Sequence, residues 1–379
     1  MKATATKAIL LAASLTFPTF GFAETTSKGA AAYNNRGSAK VNKGDLDGAI
    51  ADFNRALQLD PKLAKAYMNR GIAKRENYDR IAYGAVDVFL PDYDLGTPKI
   101  QKGDLDSAIA DFNHALQLDP KNAQAYINRG IAKAHRGDPD AAIGDYNRAL
   151  AVDSKYALAY LNRGVAKQVK GEIDSAIVDY DHALNFNSKL ADAYVDRGSA
   201  KANKGDLDGA IADLNRALQL DSKAASAYVI YVNRGTANFL ARNWTAALRD
   251  YRRSCELSQR NQESRLAIWL IRSRLGEREA ANKELAAHFN AESGSWVAKI
   301  EAYLLGNLSE AEFLAAAASP AINTDRGQHC EAWFYAGMKN LLDGNKRAAA
   351  EFFKKCLATG QKSIAEYHLA KAELNALGQ

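Results

Sequence analysis

AAAYNNRGSAKVNKGDLDGAIADFNRALQLDPKL, residues 30–63, decides the fold. Its first half carries Ala32-Tyr33-Asn34-Asn35-Arg36-Gly37-Ser38-Ala39 and its second Ala49-Ile50-Ala51-Asp52-Phe53-Asn54-Arg55-Ala56-Leu57. Both halves return together along the chain with small departures. The Arg-Gly pair stands at 36/37, 70/71, 129/130, 163/164, 197/198 and 234/235, with spacings of 34, 59, 34, 34 and 37. A 34-residue period is one supersecondary unit that cannot bury its apolar face alone and stacks on its copies. The chain is therefore expected to be all-α, an array of helix–turn–helix units. Small Gly37 and Ala49 mark where two antiparallel helices cross, Tyr33 and Phe53 fill the space beside the crossing, and Pro61 stops the second helix. Gly44-Asp45 supplies the turn, with a left-handed glycine and an aspartate cap. The turn returns as Gly103-Asp104, Gly137-Asp138, Gly205-Asp206 and, with a weaker cap, Gly171-Glu172. Helices of about a dozen residues are marginal alone, so stacking must supply most of the stability.

With Tyr33, Gly37, Ala49, Phe53, Ala56 and Pro61 at unit positions 4, 8, 20, 24, 27 and 32, the unit resembles the tetratricopeptide repeat. That resemblance implies a right-handed superhelical solenoid. It also implies that the first helices line the concave face through positions 2, 5, 9, 12 and 13. Position 5 and 9 residues then form an apolar strip through Met68, Ile72, Ile127, Ile131, Leu161, Val165, Val195 and Val232, with Phe239 at the far end. The expected partner is a protein segment, helical or extended, with apolar side chains; packing against neighbouring units is the other reading of the strip. The lysine and asparagine that such arrays use to clamp a terminal carboxylate are absent from these slots.

One feature departs from the common pattern. Position 7 is arginine in all six units, Arg36, Arg70, Arg129, Arg163, Arg197 and Arg234, and position 23 is aspartate, Asp52, Asp111, Asp145, Asp179, Asp213 and Asp250. Two invariant opposite charges at fixed spacing predict a structural ladder of ion pairs, within a unit or between neighbours. The other reading is an anion-binding stripe, but paired arginines have little charge to spare.

The chain opens on Met1-Lys2 and Lys7, runs apolar from Ala8 to Phe22 and offers Gly21-Phe22-Ala23 as a small-x-small site. This reads as a secretory signal peptide over residues 1–23, placing the mature protein in the periplasm or outside the cell without a stable membrane anchor. The net charge of +6 falls to +4 without Lys2 and Lys7 and is spread through the repeats, which disfavours a nucleic-acid partner. Six units with an insertion at 75–101 are expected over 24–261. Degenerate helix pairs follow over 262–379, marked by Gly276, Gly306 and Gly344, with a capping helix from Glu366 to Leu377. Cys330-Glu331-Ala332-Trp333-Phe334-Tyr335-Ala336-Gly337 and Glu366-Tyr367-His368-Leu369-Ala370-Lys371-Ala372-Glu373-Leu374 resemble the C-terminal unit of NlpI-type lipoproteins. That resemblance implies an adaptor organising peptidoglycan hydrolases and a processing protease. The cysteine such lipoproteins acylate is missing, since Cys255 is the first in the chain. A chaperone-like or assembly subunit of a secretion or polysaccharide-export machine is the alternative.

The insertion carries Tyr78, Tyr83, Phe89 and Tyr93 with Pro91 and Pro98. It reads as a binding loop or as a decayed repeat whose second helix starts at Asn77-Tyr78-Asp79-Arg80. Cys330 and Cys356, at positions 1 and 27 of the last unit, should face each other, as a disulfide or as two small apolar fillers. No GxSxG, Walker-type loop, GxGxxG or HExxH occurs, and the six histidines show no ligand spacing. No catalytic, cofactor or metal residue is nominated, and the chain reads as non-enzymatic.

Overall fold

The computed structural model describes residues 19–83, 103–220, 227–258, 261–290, 294–317, 322–361 and 364–378. Among them are nineteen helices and no strand. The repeats hold α1 (Thr19–Val41), α2 (Leu46–Leu59), α3 (Ala64–Tyr83), α4 (Gly103–Leu118), α5 (Ala123–His135), α6 (Pro139–Val152), α7 (Ala157–Val169), α8 (Ile173–Phe186), α9 (Ala191–Lys204), α10 (Leu207–Leu220), α11 (Ala227–Leu240) and α12 (Trp244–Leu257). Beyond them lie α13 (Gln262–Arg274), α14 (Arg278–Ala286), α15 (Trp296–Leu305), α16 (Glu310–Ala316), α17 (Ile322–Leu342), α18 (Lys346–Ala358) and α19 (Ala365–Ala376). Two compact units result: Met1–Asn77 with Asp106–Pro120, and Tyr78–Leu105 with Lys121–Gln379.

In both units the crossing works through one close approach. A Cβ added to Gly37 would stand 2.6 Å from the Phe53 ring, and one on Gly71 would stand 2.7 Å from Phe112. In the second unit Gly130, Gly164 and Gly337 sit in the same way against Tyr146, Tyr180 and Phe353, at 2.5, 2.6 and 2.6 Å. The ring at position 24 sits against the glycine through its Cδ1, Cε1 and Cζ atoms, so any larger residue would wedge the pair apart. All five rings are fully or almost fully buried. The turns follow the sequence reading. Gly44, Gly137, Gly171 and Gly205 take φ of 78, 89, 80 and 91°. Asp45, Asp138 and Asp206 accept from the backbone N–H three residues on at 3.0 Å, while Glu172 makes no such cap. In the sixth repeat the glycine slot holds Arg242, left-handed at φ 60°. Gly103 opens α4, so no glycine turn of this kind stands there.

The insertion is corrected in part. Asn77-Tyr78-Asp79-Arg80 does not begin a second helix; it lies inside α3, which runs unbroken to Tyr83. No Gly-Asp turn interrupts the first helix before Tyr83, so it continues. Its Asp79 Oδ1 stands 2.9 Å from His135 Nδ1 at the end of α5. Phe89, Pro91, Tyr93 and Pro98 fall outside the described residues, as do residues 1–18 of the expected signal peptide.

After α12 the pairs persist, with Gly276, Gly306 and Gly344 at φ of 85, 85 and 88°. One cluster around Trp269, Tyr303, Phe313, Phe334 and Phe353 joins the C-terminal pairs to Phe239 and Tyr251 of the sixth repeat. The last helix buries Leu369, Ala370, Glu373 and Leu374, whereas Ala372 and Leu377 are not among its deeply buried side chains. It caps α17 and α18 and also reaches α11.

Candidate functional site: the first-helix face

Each position 7 arginine meets the position 23 aspartate of its own unit with two parallel hydrogen bonds. In the first compact unit Arg36 donates from Nε and Nη2 to Asp52 at 2.7 and 2.5 Å, and Arg70 to Asp111 at 2.9 and 2.5 Å. In the second, Arg129 meets Asp145 at 2.8 and 2.6 Å, Arg163 meets Asp179 at 2.9 and 2.6 Å, Arg197 meets Asp213 at 2.8 and 2.6 Å, and Arg234 meets Asp250 at 2.9 and 2.5 Å. This fork-to-carboxylate geometry is the strong form of the pair. The Arg36 hydrogen bond holds the Asp52 carboxyl down to about 2. At Asp145 burial pushes upward, but Arg129 and Lys133 outweigh it and hold the group below its usual range.

The same arginines also tie neighbours together. The Nη1 of Arg70, Arg163, Arg197 and Arg234 donates to position 25 of the preceding repeat, Asn54, Asn147, Asp181 and Asn215, at 2.6 Å each. Two further recurring side chains complete the arrangement, and both are readable from the period. Position 11 lysines add a second cation to the aspartate, as Lys40, Lys74, Lys133, Lys167 and Lys201 at 2.7–3.0 Å. Asn238 takes that place in the sixth repeat, donating to Asp250 at 3.1 Å. Position 4 tyrosines carry the guanidinium over their rings, at 4.8 Å for Arg36 on Tyr33 and 5.3–5.5 Å in the other five. All six arginines are engaged by the aspartate at position 23 and the ring at position 4, and Arg70, Arg163, Arg197 and Arg234 also join repeats through position 25, which leaves little open charge for an anion stripe.

The apolar strip divides. Ile127, Leu161 and Phe239 are buried at 4, 7 and 3 % exposure and belong to cores. In the second compact unit Ile131, Val165, Val195 and Val232 are half-buried, as are Met68 and Ile72 in the first. Ile127 shares its cluster with Tyr146, and Leu161 shares its cluster with Tyr180. Position 6, which the sequence reading leaves aside, lies on the same face: Asn69 Nδ2 donates to Asn34 Oδ1 at 3.0 Å and Ser38 Oγ at 3.2 Å, at positions 5 and 9. Asn35, Asn69, Asn128, Asn162 and Asn233 share that slot, and the fifth repeat places Asp196 there. Burial, with Asp192 one turn back, pushes Asp196 up to about 7.

Family models described as TPR repeat match residues 37–77 and 99–137, and others described as tetratricopeptide repeat match 135–184 and 191–223. These are tetratricopeptide repeats. Solved structures of TPR proteins resemble the chain. MamA is 27 % identical over 52 % of this chain and 95 % of its own, with a TM-score of 0.39. YrrB, a TPR protein with an unusual peptide-binding site, is 20 % identical over 54 % and 95 %, at 0.38. A tetratricopeptide repeat protein from Parabacteroides merdae is 18 % identical over 81 % and 99 %, at 0.44.

Beyond the matched TPR units, α19 brings charge to the C-terminal end. Glu373, 3 % exposed, stands 3.0 Å from Arg274 and 3.4 Å from Arg242. Arg274 and Arg242 in turn lie over Trp244, at 4.8 and 5.7 Å. The left-handed Arg242 thus ties the sixth repeat to the last helix through a side chain, which a glycine could not do. Glu366 accepts from Tyr335 at 3.4 Å and Glu331 from Trp296 at 2.6 Å. Burial and the charge of Glu366 push Glu331 up, and Glu263 to about 7. Among the described residues no group of three ligating side chains could hold a metal. Nor is any helix there long and apolar enough to cross a membrane.

Proposed function

We propose that this chain is a non-enzymatic scaffold that holds a partner protein on the first-helix face of its second compact unit. The carrying observation is the strip of Ile131, Val165, Val195 and Val232. These side chains, at position 9 in the third and fourth repeats and position 5 in the fifth and sixth, edge their cores and stay half-buried, while the charged side chains beside them are taken up by the ladder. An amphipathic helix or extended apolar segment would complete their burial. The TPR architecture supports this reading, since a stacked array gives a long surface built from repeated side chains. The partner class follows from two sequence features. The leader at residues 1–23 supports work in the periplasm, and the C-terminal likeness to NlpI-type lipoproteins supports an adaptor of envelope enzymes, among them peptidoglycan hydrolases or a processing protease.

A photo-crosslinking residue at Val165 or Val195, in cells, tests this. The expected result is a discrete protein adduct, absent when the same residue stands at Val178, which is 53 % exposed on the second helix. Ile131→Asp in the Val195 probe strain should abolish the adduct with the helical signal retained. Equal labelling at all three positions, or loss of the fold on Ile131→Asp, would remove the strip as a binding face. Identification of export components in the adduct would replace the envelope-enzyme assignment with the assembly one.

A further inference from the structure

We infer that Cys330 and Cys356 form a disulfide that clasps α17 to α18 beneath the start of α19. In five of the repeats positions 1 and 27 are both alanine: Ala30 with Ala56, Ala64 with Ala115, Ala123 with Ala149, Ala157 with Ala183, and Ala191 with Ala217. The last helix pair keeps the same register, with Gly337 on Phe353 as Gly37 is on Phe53, and replaces both alanines by cysteine. Both side chains are fully buried. Cys330 Sγ lies 2.6 Å from Cys356 Sγ and 3.5 Å from the Cys356 carbonyl. Positions that in other repeats bring two methyl groups together here bring two sulfurs within reach of a bond of about 2.05 Å.

Cys356 Sγ also lies 3.8 Å from the carbonyl of Glu366, in the first turn of α19. That helix covers the pair, so a reagent meets the sulfurs only before α19 docks. In the docked state the Cys330 thiol and burial push the Cys356 thiol up, which disfavours its thiolate. The bond therefore forms during folding, by exchange with a disulfide donor of the low-molecular-weight or dithiol-oxidoreductase class. One thiolate attacks the donor disulfide, making a mixed disulfide and releasing one donor thiol. The second thiolate attacks the protein sulfur of that mixed bond and releases the other. Two electrons pass from the cysteines to the donor, and the two thiol protons end on its sulfurs. Once α19 docks, the bond is shielded. It then fixes the platform from which Glu373 reaches Arg242 and Arg274. Cys255 is half-buried, with its sulfur 3.9 Å from the carbonyl of Asn261, and remains a thiol.

The test refolds the full chain in oxidised and reduced glutathione, then alkylates it with iodoacetamide under denaturing conditions without reductant. Peptide masses should show the 330 and 356 peptides joined and lighter by two hydrogens, with Cys255 alkylated. Alkylation at all three cysteines, or a bond to Cys255, overturns the pairing. Closing a loop of this length should slow amide exchange through opening of the α17–α18 pair on the order of 10²-fold against the dithiothreitol-treated protein. Cys330→Ala with Cys356→Ala restores the alanine pair of the other repeats and should show no response to reductant. Equal exchange in oxidised and reduced wild-type protein would overturn the clasp even where the bond is found, and that comparison stands without the double variant.

Discussion

Asp145→Ala isolates what the ladder contributes. Asp145 is 1 % exposed and accepts from Arg129 at 2.8 and 2.6 Å; Lys133 stands 2.7 Å away. Truncation leaves Arg129 and Lys133 facing a hole where the carboxylate stood, while Arg148, 3.4 Å away and largely exposed, can turn to solvent. Breaking a buried pair costs about 3–5 kcal/mol because the surviving charge is uncompensated. Here the side chains of Arg129 and Lys133 keep 10 and 18 % of their surface in water, which places the loss near the lower end, about 3 kcal/mol. Urea unfolding followed by circular dichroism measures it. In an array each repeat leans on its neighbours, so amides of α5 to α8 should exchange faster before distant ones do. Asp52→Ala serves as the comparison: Arg36 is 59 % exposed and can turn to solvent, so its loss should be clearly smaller. Arg129→Met with Asp145→Leu, which removes both charges, should recover most of the Asp145→Ala loss. A loss at Asp145 below about 0.5 kcal/mol, within the noise of surface substitutions, or a double variant worse than the single one, would refute the account of the ladder as a buried, mutually compensated pair.

Two further outcomes follow from the same packing. Burial and Glu366 push Glu263 up to about 7, while an unfolded glutamate titrates near about 4.3. Between those values the folded state holds more protons, so stability falls as pH rises. Glu263→Gln should then gain about 1–2 kcal/mol at about pH 8, allowing for partial exposure, and nothing at about pH 4, and thermal melts showing an equal gain at both would exclude this origin. Gly164→Ala places a methyl 2.6 Å from the Tyr180 ring and should cost about 1–3 kcal/mol by denaturation. Tyr180→Leu should restore part of it, because Gly198 already faces Leu214 with more room, 3.0 Å; no rescue would show the cost is not the ring contact.

The sequence alone determined most of the helix pairs, their register and the Gly-Asp and Gly-Glu turns at 44, 137, 171 and 205. A 34-residue period with a fixed glycine, a fixed ring and a Gly-Asp turn leaves one local solution, and each of these acts within a few residues or within one pair. It also named both ends of the ladder, because two invariant opposite charges in one repeat have few reasons other than each other. The tyrosine under each guanidinium recurs in all six repeats, the lysine at position 11 in five and the asparagine at position 25 in four. They do not stand out in the sequence, because each has an ordinary surface explanation until its distance to the arginine is known.

Tertiary structure decided what depends on contacts between repeats. Whether Ile127 and Leu161 face a groove or a core rests on how tightly their clusters with Tyr146 and Tyr180 close, and a helical period gives the face but not that distance. The continued run of α3 to Tyr83 and its Asp79 beside His135 depend on a turn that never comes, which a repeat pattern reads as decay. The inward reach of α19 is of the same kind: Glu373 meets Arg242 and Arg274 across a long stretch of intervening chain. Local pattern carries no information about so distant a partner, and only the stacking of the intervening pairs brings it there.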